Sequence, residues 1–412
     1  MVSMKKKFGF QAVWFVISLC LVQLLSGCQK EVETVVVKPN SLTISVGEQY
    51  QLGVEVLPKK ALQDVKWSSS NPRVAAVSEN GLLTAISNGS CKVKVHAGSH
   101  AATCVVKVNG KSAEYGFTVG SGGRRVQFAP GNLQYMAISN TWRFAEHQYD
   151  YVGDGGIMGG NVPGSDNCLI DSAYEGWIDL FGWATSGWHD GNNIYHLHYQ
   201  PWSSSYEIND GSRTGYGPFE ENENVAAGTR YDWGVNNTIY NPWTEQNERA
   251  GTWRTLTSLE WKYLLEERST NTDFRYAKAK VNGVNGLVIF PDEWQGAFVF
   301  QNPNREKGCL YADNCLNDSD WLFCEAEGCV FLPAAGRRQG SVVISVNSEG
   351  RYWSISRYKE NAYMVDEKLN GMDLAYVHYF NESTLLSSAI YIAKSVSYRY
   401  YGCSVRLVRD LR

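Results

Sequence analysis

The chain has 412 residues, more than one ordinary domain holds. Its formal net charge is −4 with no basic block, which argues against a nucleic-acid partner. Aromatic residues make up 13%, and twelve of the fourteen Trp lie after residue 140, so the aromatic load belongs to the C-terminal part.

The N-terminus reads as a targeting segment. Lys5, Lys6 and Lys7 form a positive region, an apolar stretch runs from Phe8 to Leu25, and Leu25-Ser26-Gly27-Cys28 closes it. A short apolar core before a small-residue cleavage site is a secretory signal rather than a membrane span. The Leu-Ser-Gly-Cys ending resembles the bacterial lipobox, in which the Cys becomes the first residue and carries lipid. An ordinary signal peptide with a chance Cys is the weaker alternative. The resemblance implies a signal peptide over 1–27, lipidation at Cys28, a tether over 28–32 and membrane attachment through the lipid. Each buried CH2 contributes about 0.8 kcal/mol, so a multiply acylated Cys28 is a stable anchor. Glu31 and Glu33 follow closely and resemble the surface-export signal of Bacteroidetes lipoproteins. The expected location is the outer membrane, facing outward.

Residues 33–109 carry short runs of strand-forming residues: Val35-Val36-Val37, then 41–46, then 50–56. Gly47-Glu48, Pro58 and Asn80-Gly81 punctuate them. Strands at this spacing predict an all-β sandwich. The blocks from Trp67, Gly81 and Gly89 resemble the bacterial Ig-like group 2 family, whose modules are mostly spacers or adhesive stalks. Cys91 and Cys104 flank the final hairpin, as a disulfide or as two small buried residues.

After a short linker near 109–112 the texture changes. Over 114–412 short strands, such as 125–129 and 142–144, alternate with long loops at 153–168 and 202–230, a length that in compact domains usually marks function or self-packing. The segment Thr252–Arg268 predicts one short amphipathic helix. Thr257 and Glu260 form a capping box, Leu256 and Trp261 a hydrophobic staple. Trp261, Leu264 and Leu265 make a single apolar face. The run from Trp253 to Trp261 resembles the W-R-L-P-T-x-x-E-W block of a Fibrobacter succinogenes major paralogous domain. Leu332–Arg338, Gly350–Ser354, Tyr376–Phe380 and Tyr401–Arg409 resemble its later blocks in order. The resemblance implies an α+β C-type-lectin-like fold related to formylglycine-generating enzymes, mostly β and loop. The helix would then pack on a small twisted antiparallel sheet whose last strand lies near 403–409.

Catalytic signals are weak. His189, His196 and His198 crowd one stretch, and His-x-His on a strand can hold a metal, but no Glu or Cys stands at a familiar ligand spacing. An exposed polar edge is the stronger reading, and no metal site is assigned. Asp313, Asn317, Asp318 and Asp320 offer hard oxygen ligands that suit Ca2+. A Glu-Pro-Asn motif of lectin calcium sites is absent, so a solvated turn is favoured over Ca2+. Cys324 and Cys329 have a suggestive spacing for an oxidase, but their surroundings do not match that family's cysteine motif. A structural disulfide or buried thiol, there and at Cys403, outweighs catalysis. No Gly-x-Ser-x-Gly and no P-loop occur.

Aromatic side chains with polar edges suit sugars and protein surfaces. Trp253, Trp261 and Trp353 are expected in the core. Loop residues Trp202, Tyr206, Trp243, Arg357, Tyr358 and Tyr398 are the ligand-contact candidates. The expectation is a lipid-anchored, non-enzymatic surface protein: an Ig-like stalk carrying a lectin-like head that binds a glycan or a host or bacterial surface protein. The competing classes are a structural envelope component without a discrete ligand and a formylglycine-generating-type oxidase.

Overall fold

Residues 89–97 alternate small or apolar side chains with Ser90, Lys92, Lys94 and His96, and the alternation becomes a strand with one buried face. The computed structural model describes residues 31–59, 64–87, 89–109, 115–156, 159–168, 171–188, 201, 228–296, 298–357, 374–382, 385–386 and 396–411. The chain divides into two compact units, Met1–Ser112 and Ala113–Arg412. Both are mostly β strand with few helices.

In the first unit Gly89–Ala97 pairs antiparallel with His100–Asn109 across a tight hairpin. Lys66–Ser69 joins one edge of this pair, and Ser41–Ser45 runs parallel on the other. Gln49–Gln51, Leu82–Ala85 and Ala75–Val77 form a three-stranded sheet, and Thr34–Lys38 pairs with Gly53–Leu57. Val35, Ile44, Val56, Leu83, Val93 and Val106, from all three sheets, share one core. Gly81 at the Asn80-Gly81 turn has φ +80°, and a Cβ there would come within 2.9 Å of the Trp67 ring. The turn therefore needs glycine for its backbone and for the indole beside it. Cys91 lies opposite Val106 and Cys104 opposite Val93, so the two cysteines are offset by two residues. Both are buried free thiols.

The second unit contains the capped helix. Thr257 and Glu260 make both capping-box bonds, the Thr257 hydroxyl accepting from the Glu260 N–H at 3.2 Å and the Glu260 carboxylate from the Thr257 N–H at 2.8 Å. The segment starts as helix α1, Ser258–Lys262, and then widens into a π turn over Tyr263–Glu267. Its sequence reads as a plain α-helix, and a side chain explains the difference. The Leu264 carbonyl accepts from Arg268 Nε at 2.6 Å, so the Arg268 backbone N–H bonds one residue further back, to the Tyr263 carbonyl at 3.0 Å. Leu256, Trp261, Leu264 and Leu265 are buried in one core with Val126, Phe128, Tyr352, Phe380 and Val408. Trp261 stacks on His378 at 5.0 Å and meets Phe128 at 6.0 Å.

The last strand is Leu407–Asp410, between Arg125–Phe128 and Arg254–Thr255. It begins later than the expected 403. Gly402, Cys403 and Ser404 instead make single bridges to Arg338, Phe181 and Tyr352, so this stretch ties several elements together. Arg406 follows, fully buried, and donates to Phe331 O at 2.7 Å, Asn132 Oδ1 at 3.0 Å and Ala129 O at 3.2 Å. Neutral acceptors satisfy it, and burial lowers its pKa to about 10. Trp177–Ile178, Leu133–Met136, Thr141–Phe144, Ile239–Asn241 and Gln246–Glu248 form a five-stranded sheet. Glu349–Arg357 and Leu374–Asn381 form a long antiparallel pair, with Val396–Tyr398 beside the second.

Candidate functional site

Segments 186–188, 230–231 and 398–401 bring Trp188, Tyr231 and Tyr401 onto one core of the second unit. Backbone pairing sets the frame. Phe181 and Cys403 exchange both N–H···O bonds at 2.9 and 3.0 Å, and the Trp183 N–H donates to the Arg399 carbonyl at 2.7 Å. Residues 181–183 thus run along 399–403. Ser186 fixes the next step, its hydroxyl donating to the Arg230 carbonyl at 2.7 Å while the Trp188 N–H approaches that hydroxyl at 3.4 Å. The Ser186 carbonyl accepts from the side-chain amides of Asn236 and Asn237 at 3.1 and 2.8 Å.

This anchoring places the Arg230 guanidinium 3.8 Å above the Trp188 ring. Tyr231 meets the same indole edge-on at 5.0 Å. Tyr398, Tyr400 and Tyr401 form a triad with centroid separations of 5.2, 5.3 and 5.1 Å. Trp188 and Tyr401 both pack on one core, which also holds Trp183, Trp233, Trp253 and Trp353. Below them Arg399 is buried, its guanidinium 5.4 Å from the Trp183 ring. Arg230 is exposed, and Trp188, Tyr398, Tyr400 and Tyr401 are part-exposed. Part-exposed rings held on a buried aromatic base can stack on a ligand with little loss of side-chain freedom.

Of the sequence candidates, Tyr398 is in this cluster. Trp243 is 37% exposed on the turn between Ile239–Asn241 and Gln246–Glu248, where its N–H donates to Asn241 Oδ1 at 2.9 Å. Arg357 ends the strand Glu349–Arg357. Trp202, Tyr206, Tyr358 and the lipidation residue Cys28 lie outside the described residues, as do His189, His196 and His198. Trp253, Trp261 and Trp353 are core residues. Trp188, Arg230, Tyr231, Tyr400 and Tyr401 were not among the expected contacts. The run Tyr398-Arg399-Tyr400-Tyr401 is the signal that could have pointed to two of them.

The acidic loop's side chains are taken up by caps and by donors within the unit. Asp313 accepts from the Leu310 N–H at 2.9 Å, Asn317 and Asp320 make a reciprocal cap on helix α2 (Asp318–Ala326), and Asp318 accepts from the Tyr149 hydroxyl at 3.0 Å. Among the described residues no group of three or more His, Cys, Asp or Glu is placed to hold a metal. Burial pushes the Cys403 thiol up to about 12 and the Cys329 thiol well above its usual range, so both are protonated at neutral pH. Two carboxylates, Asp179 and Asp232, are fully buried and pushed up to about 6 by that burial. Asp179 holds the loop around 152–167, accepting from the Val152 N–H at 3.0 Å and the Asn167 amide at 2.9 Å.

Residues 31–106 form a bacterial Ig-like domain of group 2, matching that family's model over this stretch. No curated protein matches the chain. Among solved structures the chain resembles the S-layer protein SbsC domains 4 and 5, at 17% identity over 19% of this chain and 53% of that one, with a TM-score of 0.18. A bacterial Ig-like domain containing GH10 xylanase from termite gut is 26% identical over 18% of this chain and 20% of that one, at a TM-score of 0.15. The chain thus spans about half of the S-layer fragment and a fifth of the xylanase. At these TM-scores the likenesses do not extend to the chain as a whole.

Proposed function

We propose that this is a lipid-anchored outer-membrane protein whose Ig-like domain is a stalk and whose larger unit is a C-type-lectin-like head that binds a glycan at the cell surface. The observation that carries the reading is a set of part-exposed aromatics on one core: Arg230 lies over Trp188, and Tyr398, Tyr400 and Tyr401 form a triad whose Tyr401 packs on the same core as Trp188. Sugar rings present flat C–H faces bordered by hydroxyls, and part-exposed aromatic faces with hydrogen-bonding edges complement both. The lipobox ending at Cys28 and the acidic residues after it support anchoring and outward display. The head works as a binding module and not as an oxidase, a reading supported by Cys403, which is enclosed in the aromatic core with its thiol pushed up to about 12 by burial.

The test is a glycan array probed with the chain from Gln29 onward, beside Trp188→Ala and Tyr400→Ala variants. The reading expects a defined glycan class to bind the parent chain and both variants to lose at least tenfold in affinity. Glycan binding that both variants retain would move the site elsewhere. A blank array with capture of a surface protein by the same aromatics would make the ligand a protein. A blank array with no such capture would favour a structural envelope role.

A further inference from the structure

Helix α2 ends in a hydrogen-bond pattern that brings two thiols together. The Cys329 N–H donates to the Cys324 carbonyl at 2.9 Å and the Gly328 N–H to the Glu325 carbonyl at 3.0 Å. Gly328 between them has φ +82°. These two nested bonds, closed by a left-handed glycine, make a Schellman motif, with Cys324 three positions before the cap and Cys329 two after it. That motif regularly seats a contact between these two side chains. Here both positions are cysteine and both are buried, so the contact the motif seats is between two enclosed thiols. Bonded geometry on either side of the 2.9 Å hydrogen bond limits the Cα separation to no more than about 7 Å, the reach of a disulfide. The turn also needs glycine for space, because a Cβ at position 328 would collide with Tyr115. No other cysteine pair is brought together by such a motif among the described residues. Cys91 and Cys104 are offset across their hairpin, and Cys315 is exposed while Cys309 is buried.

We propose that Cys324 and Cys329 close a disulfide that staples the end of α2 to the start of the strand Val330–Pro333. The bond forms by exchange with an external disulfide, the small-molecule or protein type of an oxidising compartment. One thiolate attacks that disulfide and expels a thiolate, giving a mixed disulfide. The second cysteine then attacks the mixed disulfide at the protein sulfur and expels the other. The two cysteines lose two protons and two electrons, and the external disulfide becomes two thiols. Both sulfurs are enclosed in the fold, so the bond forms during folding, before Trp321 and Phe331 bury the turn. The proposal shares with the surface reading only the oxidising compartment.

The experiment supplies its own oxidant, so it can fail independently of export. The chain from Gln29 is reduced, unfolded and refolded in excess glutathione disulfide, its fold is checked by circular dichroism, and free thiols are alkylated. Trypsin leaves residues 308–337 in one peptide with Cys309, Cys315, Cys324 and Cys329, and a glutamate-specific protease then cuts after Glu325 and Glu327. The fragments 308–325 and 328–337 should stay joined, lighter by two hydrogens, with fragmentation placing the bond at Cys324 rather than at Cys309 or Cys315, and should separate on reduction. Both cysteines alkylated in the folded protein, or either one joined to a different cysteine, overturns the proposal. If the reduced chain does not refold, the same map is made on protein secreted into a bacterial periplasm, with the same two decisive outcomes.

Discussion

Asp232 and Thr255 are joined by the Asp232 carboxylate, which accepts from both the Thr255 N–H at 3.0 Å and its hydroxyl at 2.9 Å, fully buried. The same carboxylate accepts from the Gly234 N–H at the start of the short helix Trp233–Asn236. One side chain therefore fixes that helical turn against the strand Arg254–Thr255, next to the aromatic core. Burial outweighs these hydrogen bonds and pushes its pKa up to about 6.

That shift has a definite pH signature. A carboxyl raised above its unfolded value of about 3.9 holds its proton more tightly in the folded state. Its stabilising contribution is complete below the unfolded value and is lost as pH rises through about 6. The stability difference between the parent chain and Asp232→Asn should therefore move against the parent from pH 4 to 6, by about 1.4 kcal/mol per pH unit at most, and level off above. Denaturant midpoints at half-unit intervals measure it. A flat difference would mean that the carboxylate is ionised throughout.

The capped helix separates two magnitudes. Thr257→Ala should cost about 1 kcal/mol, the ordinary loss of an N-cap. Trp261→Ala should cost about 3 to 5 kcal/mol, since the ring is 1% exposed and lies against Phe128 and His378. Trp243→Ala, at a part-exposed turn, should stay within about 1 kcal/mol. Equilibrium unfolding of the three variants gives the order, and a Trp243 cost above that of Trp261 would reverse the assignment of core and surface.

Arg268 should be among the costliest positions in the second unit. Its buried guanidinium pairs with Asp292 at 2.7 Å and donates to the Leu264 and Phe290 carbonyls at 2.6 and 2.5 Å. Arg268→Met leaves the part-buried Asp292 carboxylate, which still pairs with Arg125 at 3.5 Å, without this partner and two carbonyls without donors, a loss of about 3 kcal/mol. Asp292 also keeps Thr118 as a donor at 2.8 Å, which holds the expected value at the low end for a broken buried pair. A cost below 1 kcal/mol in urea unfolding would show that water replaces the guanidinium.

Lipid anchoring is tested on the intact chain. Metabolic labelling with palmitate should mark the parent protein and not Cys28→Ala, and only the parent should partition with membranes. Equal label in both would remove the lipobox reading.

What the sequence determined alone is what residues three to five positions apart can settle. The Thr257–Glu260 cap, the Asn80-Gly81 turn, the alternation through 89–97 and the blocks of the Ig-like domain all depend on neighbours along the chain. Trp261 could be assigned to the core for the same reason, because apolar spacing on a capped helix declares its buried face, while Trp253 and Trp353 were expected there from the family resemblance. The tertiary structure decided the rest. The π turn exists because Arg268 reaches back for the Leu264 carbonyl while held by Phe290 and Asp292, more than twenty positions on. Trp188 and Tyr401 reach one core because 181–183 pairs with 399–403 and Ser186 holds 230, contacts between segments far apart in the chain. No local window contains those contacts: long-range pairing is chosen by the burial of the whole core, and a residue's place on that core sets whether its ring is packed inside or left for a ligand.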